Sequence, residues 1–118
     1  MKDLKHRQVF LYRNYFTDFY NKQKPKVKQK ILWTLKLIEI LQYVPQDYFK
    51  HINEGIFEIR VQKGSDIFRI FCFFDDKKLI VLANGFQKKT HKTPVSEIIK
   101  AKKIKDEYES EKRNVAIS

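Results

Sequence analysis

The chain has 118 residues, which suits one domain around one hydrophobic core, and its formal net charge at pH 7 is +11. Apolar residues make up 42% and aromatic residues 14%, so the composition excludes a disordered chain. A positive charge this large opposes compaction by self-repulsion, and attraction to a polyanion best explains it. Nucleic acid is the first candidate partner, an acidic protein is the second, and a basic but inert surface is the third.

A single cysteine and three histidines restrict the chemistry further. Cys72 lies in an apolar run, which predicts a buried small side chain and no disulfide or thiolate metal cluster. His6, His51 and His91 lack metal-ligand spacing, so we expect no metal and no other cofactor. No apolar stretch is long enough for a signal peptide or a membrane span, which predicts a cytoplasmic protein.

The first half of the chain predicts a strand followed by helices. The segment RQVFLYRN (7–14) fits a short strand, and YFTDFYNKQ (15–23) fits one or two helical turns. The clearest helix is PKVKQKILWTLKLIEILQ (25–42), with Pro25 near its first turn. Its apolar residues form one stripe at helical spacing: Val27, Ile31, Leu35 and Ile38. The residues around Pro45 are predicted to form a loop.

The beginning of this helix is rich in lysine: Lys22, Lys24, Lys26, Lys28 and Lys30. The helix macrodipole disfavours cations near the N-terminus, typically by about a few tenths of a kcal/mol each. We weigh two interpretations equally, a solvated lysine-rich turn and a surface that faces phosphates.

The second half predicts two hairpins and a closing helix. Three strand-like runs, GIFEIRVQ (55–62), IFRIFCFFD (67–75) and KLIVLAN (78–84), are joined by short segments that contain turn residues. Thr93 as N-cap and Pro94 at the first position predict a helix over residues 95–112, followed by a frayed tail, 113–118. The predicted fold is a small single α+β domain (1–112), with an N-terminal strand and helices packed on one face of an antiparallel meander.

Strand alternation predicts a row of polar side chains across this meander. A turn at Gly64-Ser65 pairs Arg60 with Arg69, and a turn at Asp76-Lys77 then places Asn84 opposite Arg69. The opposite face is predicted to form the core against the helices and is uniformly apolar: Phe57, Ile59, Val61, Phe68, Ile70, Cys72, Phe74, Val81 and Ala83.

The two arginines call for an explanation, because like charges opposite each other destabilise a sheet by roughly 0.2–1 kcal/mol. One interpretation is that Glu58 and Asp66 each neutralise one arginine. The interpretation we favour is an anion-binding site, since guanidinium groups bind phosphate bidentately.

The segment GFQKKTHKTP (85–94) follows the third strand at the same edge of the sheet. Lys88 and Lys89, and also Lys92, are therefore expected to join the arginines around one pocket. Phe86 lies beside them, where an exposed ring can stack on an unpaired base. A small cleft of this kind fits single-stranded RNA better than a duplex.

Residues 55–108 carry a combined pattern: an E-x-R strand, a strand with arginine near aromatic residues, and a hydrophobic strand running into F-x-K-K-T-x-K-T-P and a helix with E-I-x-x-A. The matching residues are Glu58, Arg60, Phe68, Arg69, Phe71, Phe86, Lys88, Lys89, Thr90, Lys92, Thr93, Pro94, Glu97, Ile98 and Ala101. This pattern resembles the RelE/ParE toxin superfamily, in particular its HigB-like, phage-related branch.

The resemblance implies the toxin of a type II toxin–antitoxin system. Toxins of this branch are ribosome-dependent mRNA endoribonucleases, which cleave the message by attack of a 2′-hydroxyl on the adjacent phosphate and so inhibit translation. The implied partners are a cognate antitoxin, often a helix-turn-helix DNA-binding protein, together with mRNA and the small ribosomal subunit. The implied chemistry is metal-independent.

The resemblance also suggests roles for the matching residues. Arg60 and Arg69 are expected to stabilise the charge of the transition state. Lys88 and Lys89 are expected to bind phosphate or to protonate the leaving 5′-oxygen. Further substrate contacts are expected from Phe86, Asn84 and Lys92.

The general base is the open position in this scheme. Glu58 shares a face with Arg60, and His91 has a suitable intrinsic pKa, so both are candidates. We favour Glu58 as the ion-pair partner of Arg60 and His91 as a merely exposed side chain. Tyr108, on the closing helix, lies too far along that helix to be carried over as a catalytic tyrosine.

Two other functions compete with the ribonuclease. A ParE-like toxin keeps the fold but inhibits DNA gyrase and needs no ribonuclease site, and the arginine and lysine cluster argues against it. A non-enzymatic RNA-binding regulatory module would use the same basic face without cleavage.

Overall fold

The computed structural model describes residues 5–117, so residues 1–4 of the predicted domain and residue 118 of the predicted tail lie outside the described residues. The described elements are, in chain order, β1 (Gln8–Leu11), α1 (Tyr15–Asn21), α2 (Pro25–Ile40), β2 (Phe49–Asn53), β3 (Ile56–Lys63), β4 (Asp66–Phe74), β5 (Leu79–Lys88) and α3 (Val95–Ile117). The predicted α+β class is confirmed.

Five strands form one sheet in the order β1-β5-β4-β3-β2. The two predicted hairpins are present as β3–β4 and β4–β5, and β1 pairs in parallel with β5 at one edge. The other edge strand, β2, lies in the region that the sequence predicted as a loop, and its Phe49 pairs with Ile59. Only five residues long, with Lys50 and His51 exposed, β2 carries too little apolar alternation to be recognised.

Helices cover both faces of the sheet. On the first face, α1 and α2 pack over β3, β4 and β5, and the apolar stripe of α2 is buried as predicted. On the second face, α3 buries a smaller core: Ile56, Phe71, Phe73, Val81, Ala83, Ala101 and Ile104. The second face is therefore apolar beneath α3 and polar beyond it.

The predicted faces of β5 are wrong for Val81 and Ala83, which contact α3 instead of α2. Ile80 and Leu82 take the positions against α2. The cause is the connection between β4 and β5, which is longer than a two-residue turn, so that Phe74 pairs with Ile80. A register shift of one residue moves every side chain of a strand to the opposite face.

A bulge changes the register of β5 a second time. Between Ile70 and Cys72, β5 contains one more residue than β4, and beyond this point Arg69 pairs with Phe86. The prediction that Asn84 lies opposite Arg69 is therefore wrong. Since the two shifts add up to two residues, the original face is restored and Phe86 takes the place predicted for Asn84.

The ends of β5 and α3 also differ from the prediction. β5 continues through Lys88, beyond the predicted end at Asn84. The helix α3 begins at Val95, and the Pro94 carbonyl accepts a backbone hydrogen bond from the Glu97 N–H at 3.1 Å. Residues 113–117, predicted as a frayed tail, continue the helix. Two contacts hold this end of α3 against the sheet. Lys112 pairs with Asp75, and Val115 lines a groove together with Phe10 of β1.

Two side chains outside the predicted motifs fix the first layer. Arg7 donates to the carbonyls of Ile38 (3.1 Å), Leu41 (2.7 Å) and Gln42 (2.9 Å), which satisfies carbonyl groups at the C-terminus of α2. Gly85 lies directly under Phe19 of α1, where an added Cβ would be 2.6 Å from the ring carbon Cγ. No helix within residues 5–117 has the length and apolar character needed to cross a membrane.

Candidate active site

Arg60, Arg69 and Phe86 form a row across β3, β4 and β5. Arg60 pairs with Arg69, as predicted, and Arg69 pairs on its other side with Phe86. The next row on the same face holds Gln62, Ile67 and Lys88. Both rows lie beyond the part of the second face that α3 covers, because residues two apart on a strand share a face.

Glu58 bridges the two arginines. Its Oε1 lies 2.7 Å from Arg69 Nε, and its Oε2 lies 3.6 Å from Arg60 Nε. The first contact is an ion pair whose angle falls outside hydrogen-bond geometry, since Arg69 Nε has no hydrogen-bond partner among the described residues. Asp66 does not contact either arginine and instead accepts a bond from Gln87. One carboxylate thus serves two guanidinium groups.

The two arginines and Glu58 differ in their exposure to solvent. The side chains of Glu58 and Arg69 are 5% and 4% exposed, whereas that of Arg60 is 35% exposed. Burial, opposed by Glu58 and reinforced by Arg60, lowers the pKa of Arg69 from its ordinary value. An arginine stays protonated at neutral pH even so, which leaves the cluster one positive charge in excess. The accessible part of this excess is on Arg60.

A cavity of about 330 Å³ lies beside the end of β3 that extends past β2. It is lined by Lys30, Asp47, Tyr48, Arg60, Val61, Gln62, Ile67 and Arg69. We call it the arginine cavity. Its cations come from α2 and from two strands, and its one lining carboxylate, Asp47, forms no ion pair with the described residues. The cavity is large enough for a phosphate with its ribose.

The lysines of the C-terminal segment lie in a neighbouring cavity. This cavity, of about 290 Å³, is lined by Ile67, Lys88, Lys89, Thr90 and His91, and we call it the lysine cavity. It shares Ile67 with the arginine cavity, and Lys88 pairs with Ile67 across the sheet. The expected single pocket is therefore two adjoining cavities. Nothing in the described residues pairs Lys88 or Lys89 with a carboxylate.

Three residues predicted to contact substrate line neither cavity. Phe86 is half-buried and packs edge-on against Phe71 with ring centroids 5.3 Å apart, so its ring is not a free stacking surface. Asn84 is 2% exposed and donates to Oε1 of Glu97 at 2.9 Å, which draws it towards α3. Lys92 is exposed and lines neither of these cavities.

Lys30 and Tyr48 are site residues that the sequence did not single out. Lys30 was one of several lysines at the beginning of α2, and Tyr48 fell in the region predicted as a loop. The β-favouring residues Tyr48, Phe49 and Ile52 were the available signal for a strand here, but they do not alternate with polar residues. The Tyr48 carbonyl accepts a bond from the Arg60 backbone N–H at 2.9 Å, which holds this residue beside the arginine cavity.

Tyr108 packs on the second face and lines neither the arginine cavity nor the lysine cavity. Its hydroxyl donates to Oδ2 of Asp75 at 2.6 Å, beside the β4–β5 connection. Burial, followed by the bond to Asp75, raises the pKa of Tyr108 to about 12. Burial also raises the pKa of the Cys72 thiol, which fits the predicted role of a small core side chain. Within residues 5–117 no three potential metal ligands come together.

Comparison with known proteins identifies a family. The family model described as Phage derived protein Gp49-like (DUF891) matches residues 18–106, which is 89 of the 118 residues. The matched range begins in α1 and ends within α3, so it includes both cavities. No curated protein matches the chain.

Proposed function

Because the chain belongs to the phage-derived Gp49-like family, which lies within the RelE/ParE-like toxin superfamily, we propose that it is the toxin of a type II toxin–antitoxin pair and a metal-independent endoribonuclease. The proposed substrate is mRNA bound to the small ribosomal subunit, and the outcome is inhibited translation. The observation that carries the proposal is the Arg60–Arg69 pair, which shares one buried carboxylate at the wall of an open cavity.

The excess charge suits a phosphate in the arginine cavity. Cleavage by 2′-hydroxyl attack places additional negative charge on the phosphate oxygens in the transition state. Guanidinium groups that are already positioned stabilise this charge without reorganisation. Glu58 fixes Arg69 and orients Arg60, so in this proposal it is a positioning residue and the arginines are catalytic residues.

The lysine cavity suits the leaving group. Lys88 or Lys89 binds the neighbouring phosphate or donates a proton to the departing 5′-oxygen. Each carries an ammonium group without a carboxylate partner among the described residues, so its protons are available to a ligand. His91 lines the same cavity.

We assign the general base to Asp47. Glu58 was one candidate, but both of its oxygens face arginines. Asp47 lines the arginine cavity, is exposed, and forms no ion pair with the described residues. Its carboxylate would accept the proton of the attacking 2′-hydroxyl, which passes from oxygen to oxygen while the new O–P bond forms and the P–O5′ bond breaks.

Induced expression of the chain in bacteria tests the proposal, with new 5′ ends mapped on cellular messages and cleavage repeated on purified ribosomes. Breaks that require ribosomes support it. DNA damage without RNA breaks would indicate a gyrase inhibitor, and RNA binding without toxicity would indicate a regulatory module. An Arg60→Gln variant is the appropriate inactive form, since Arg60 is half-exposed and its loss leaves the buried pair intact.

A further inference from the structure

We propose that Lys30, Trp33 and Tyr48 form a stacking subsite for an unpaired base of single-stranded RNA, next to the phosphate in the arginine cavity. We call these three residues the Trp33 subsite. The inference rests on the proposed function in one respect, the presence of an RNA phosphate beside Arg60. None of the three residues belongs to the motif that indicated the toxin superfamily.

Trp33 is unusually accessible for a tryptophan in a small domain. It lies on α2 with 47% of its surface exposed, and its neighbour Leu32 is 52% exposed. Tryptophans are usually highly buried, because their large apolar ring gains most from leaving water. Its position on the outer side of α2 contributes little to the core and leaves a broad ring in contact with solvent.

The ring is held in place by two neighbours. The Trp33 and Tyr48 rings meet edge-to-face with centroids 5.9 Å apart, and Lys30 Nζ lies 4.0 Å from the centroid of the Trp33 ring. An ordered ring loses little conformational freedom when a base stacks on it, so this arrangement is suited to binding. The lysine places a cation over one face of the ring.

The subsite is continuous with the arginine cavity. Lys30 and Tyr48 belong to the Trp33 subsite and also line that cavity. Tyr48 is tied to β3 by the bond between its carbonyl and the Arg60 N–H, 2.9 Å. A nucleotide with its phosphate at Arg60 therefore has an aromatic pair within reach of the adjoining base.

The Trp33 subsite is better suited to single-stranded than to double-stranded RNA. Stacking of bases on aromatic rings beside a cationic groove is the usual way in which proteins bind unpaired RNA, and every base has a face for it. A paired base would not present its face to the ring. Phe86, predicted to stack on a base, cannot do so because it packs on Phe71. In this proposal Trp33 and Tyr48 provide the aromatic contact instead.

A purely local role is the competing explanation. Lys30 and Trp33 are three residues apart on a helix, and such pairs stabilise helices by themselves. The two explanations differ in what removal of the ring does. A local pair affects stability alone, whereas a stacking ring affects the affinity for RNA that has bases.

Trp33 is the only tryptophan of the chain, so its fluorescence reports on the subsite directly. The full chain is titrated with a triadenylate and, separately, with the abasic ribose-phosphate trimer and with inorganic polyphosphate. We expect the triadenylate to quench or shift the emission, and the two base-free ligands to bind through phosphate with little change. Equal responses to all three ligands would overturn the proposal, as would the absence of any response.

Variants give an independent measurement by anisotropy of a labelled oligoribonucleotide. Trp33→Leu should weaken binding about tenfold, in line with alanine substitution of stacking residues in other single-strand binders, while Trp33→Phe should recover most of the affinity. Leu32→Ala is the matched control, since Leu32 is the adjacent and equally exposed side chain. Unchanged affinity in Trp33→Leu, with thermal unfolding confirming a folded protein, would refute the subsite.

The test of the Trp33 subsite and the test of the ribonuclease activity can fail independently. Base-dependent quenching in a protein that never cuts RNA would refute the ribonuclease and support the subsite. Cleavage that persists in full, with unchanged affinity in Trp33→Leu, would refute the subsite and leave the ribonuclease standing.

Discussion

Arg69 and Glu58 form a buried ion pair, with 2.7 Å between Nε and Oε1 and at most 5% of either side chain exposed. Arg69 also lines the arginine cavity, so this ion pair contributes both to the stability of the fold and to the charge of the cavity. Substitution of Arg69 alone would leave the Glu58 charge buried, with only the more distant Arg60 at 3.6 Å. Loss of activity in Arg69→Ala would therefore be ambiguous.

The first prediction concerns stability at this pair. We expect Arg69→Met to lower the free energy of unfolding by about 3–5 kcal/mol, because it leaves the buried Glu58 carboxylate with only the half-exposed Arg60 as a partner. The double variant Glu58→Gln/Arg69→Met should regain a large part of that loss. Chemical denaturation monitored by circular dichroism measures both. Arg60→Met is the control and should cost about 1 kcal/mol or less, since Arg60 is 35% exposed. A double variant no more stable than Arg69→Met would contradict the account.

The second prediction concerns the accessible cations. Arg60→Gln is expected to lower the rate of RNA cleavage by about 10²–10³-fold, which is typical for the loss of one preorganised charge-stabilising donor. Lys88→Gln should also reduce cleavage, with normal thermal unfolding in both variants. Single-turnover cleavage on purified ribosomes is the measurement. Lys77→Gln makes the same change of charge at the exposed β4–β5 connection and should have no effect. Equal losses in all three would indicate net charge and not a site.

The third prediction separates binding from chemistry at Asp47. Asp47→Asn should lower cleavage by about 10²–10⁴-fold if the carboxylate takes the 2′-hydroxyl proton. RNA affinity should stay the same or rise, because a negative charge is removed from a cavity that binds phosphate. The two quantities are measured on the same preparation, by single-turnover cleavage and by anisotropy. Full cleavage in this variant would show that Asp47 is not the general base.

Sequence alone predicted most of the fold, for identifiable reasons. The stripe Val27, Ile31, Leu35 and Ile38 keeps helical spacing over twelve of the sixteen residues of α2, and this is a clear signal for a helix. The Arg60–Arg69 pairing followed from a short connection whose register is determined by its own turn residues. The geometry of long periodic helices and of tight hairpins is determined by residues that are close together in the sequence.

The register of the second hairpin, β4–β5, could not be predicted from the sequence. The register of β5 depends on the length of its connection to β4 and on a bulge near Cys72, and the sequence has no local mark for either. Asn84 was consequently placed in the site in the position that Phe86 occupies. The basic residues divide into two cavities, and Lys30 of α2 comes close to Tyr48, which directly precedes β2. Both features depend on tertiary packing.

The fourth prediction concerns the contact between β5 and α1. Gly85→Ala should destabilise the protein by about 1–3 kcal/mol, because the new methyl group would meet the ring of Phe19, which also packs against Phe16 and Phe68. In a Phe19→Ala background the same substitution should cost less than about 1 kcal/mol, since the ring is gone. Thermal and chemical unfolding of the four proteins give the coupling energy. An equal cost in both backgrounds would mean that backbone conformation, and not the ring, requires glycine.

The fifth prediction uses the bond between Tyr108 and Asp75. Tyr108→Phe should lower the free energy of unfolding at neutral pH by about 1.5–3 kcal/mol, as for a hydrogen bond to a charged group. The pKa of Tyr108 is raised from 10.0 to about 12 by burial and by Asp75, so the folded state holds the proton more tightly than the unfolded chain. Its stabilising contribution is therefore complete below pH 10 and is lost as the pH rises through 12.

The difference in stability between the wild type and Tyr108→Phe should accordingly be constant from pH 7 to about 9.5 and should shrink above it. Tyr12 and Tyr15 also have a raised pKa, but they are present in both proteins and cancel in the difference. Tyr43→Phe, at a side chain that is 83% exposed, is the control and should follow the wild type throughout. A difference that stays constant up to pH 11.5 would show that the Tyr108 proton is not linked to folding, and that only packing is lost in the variant.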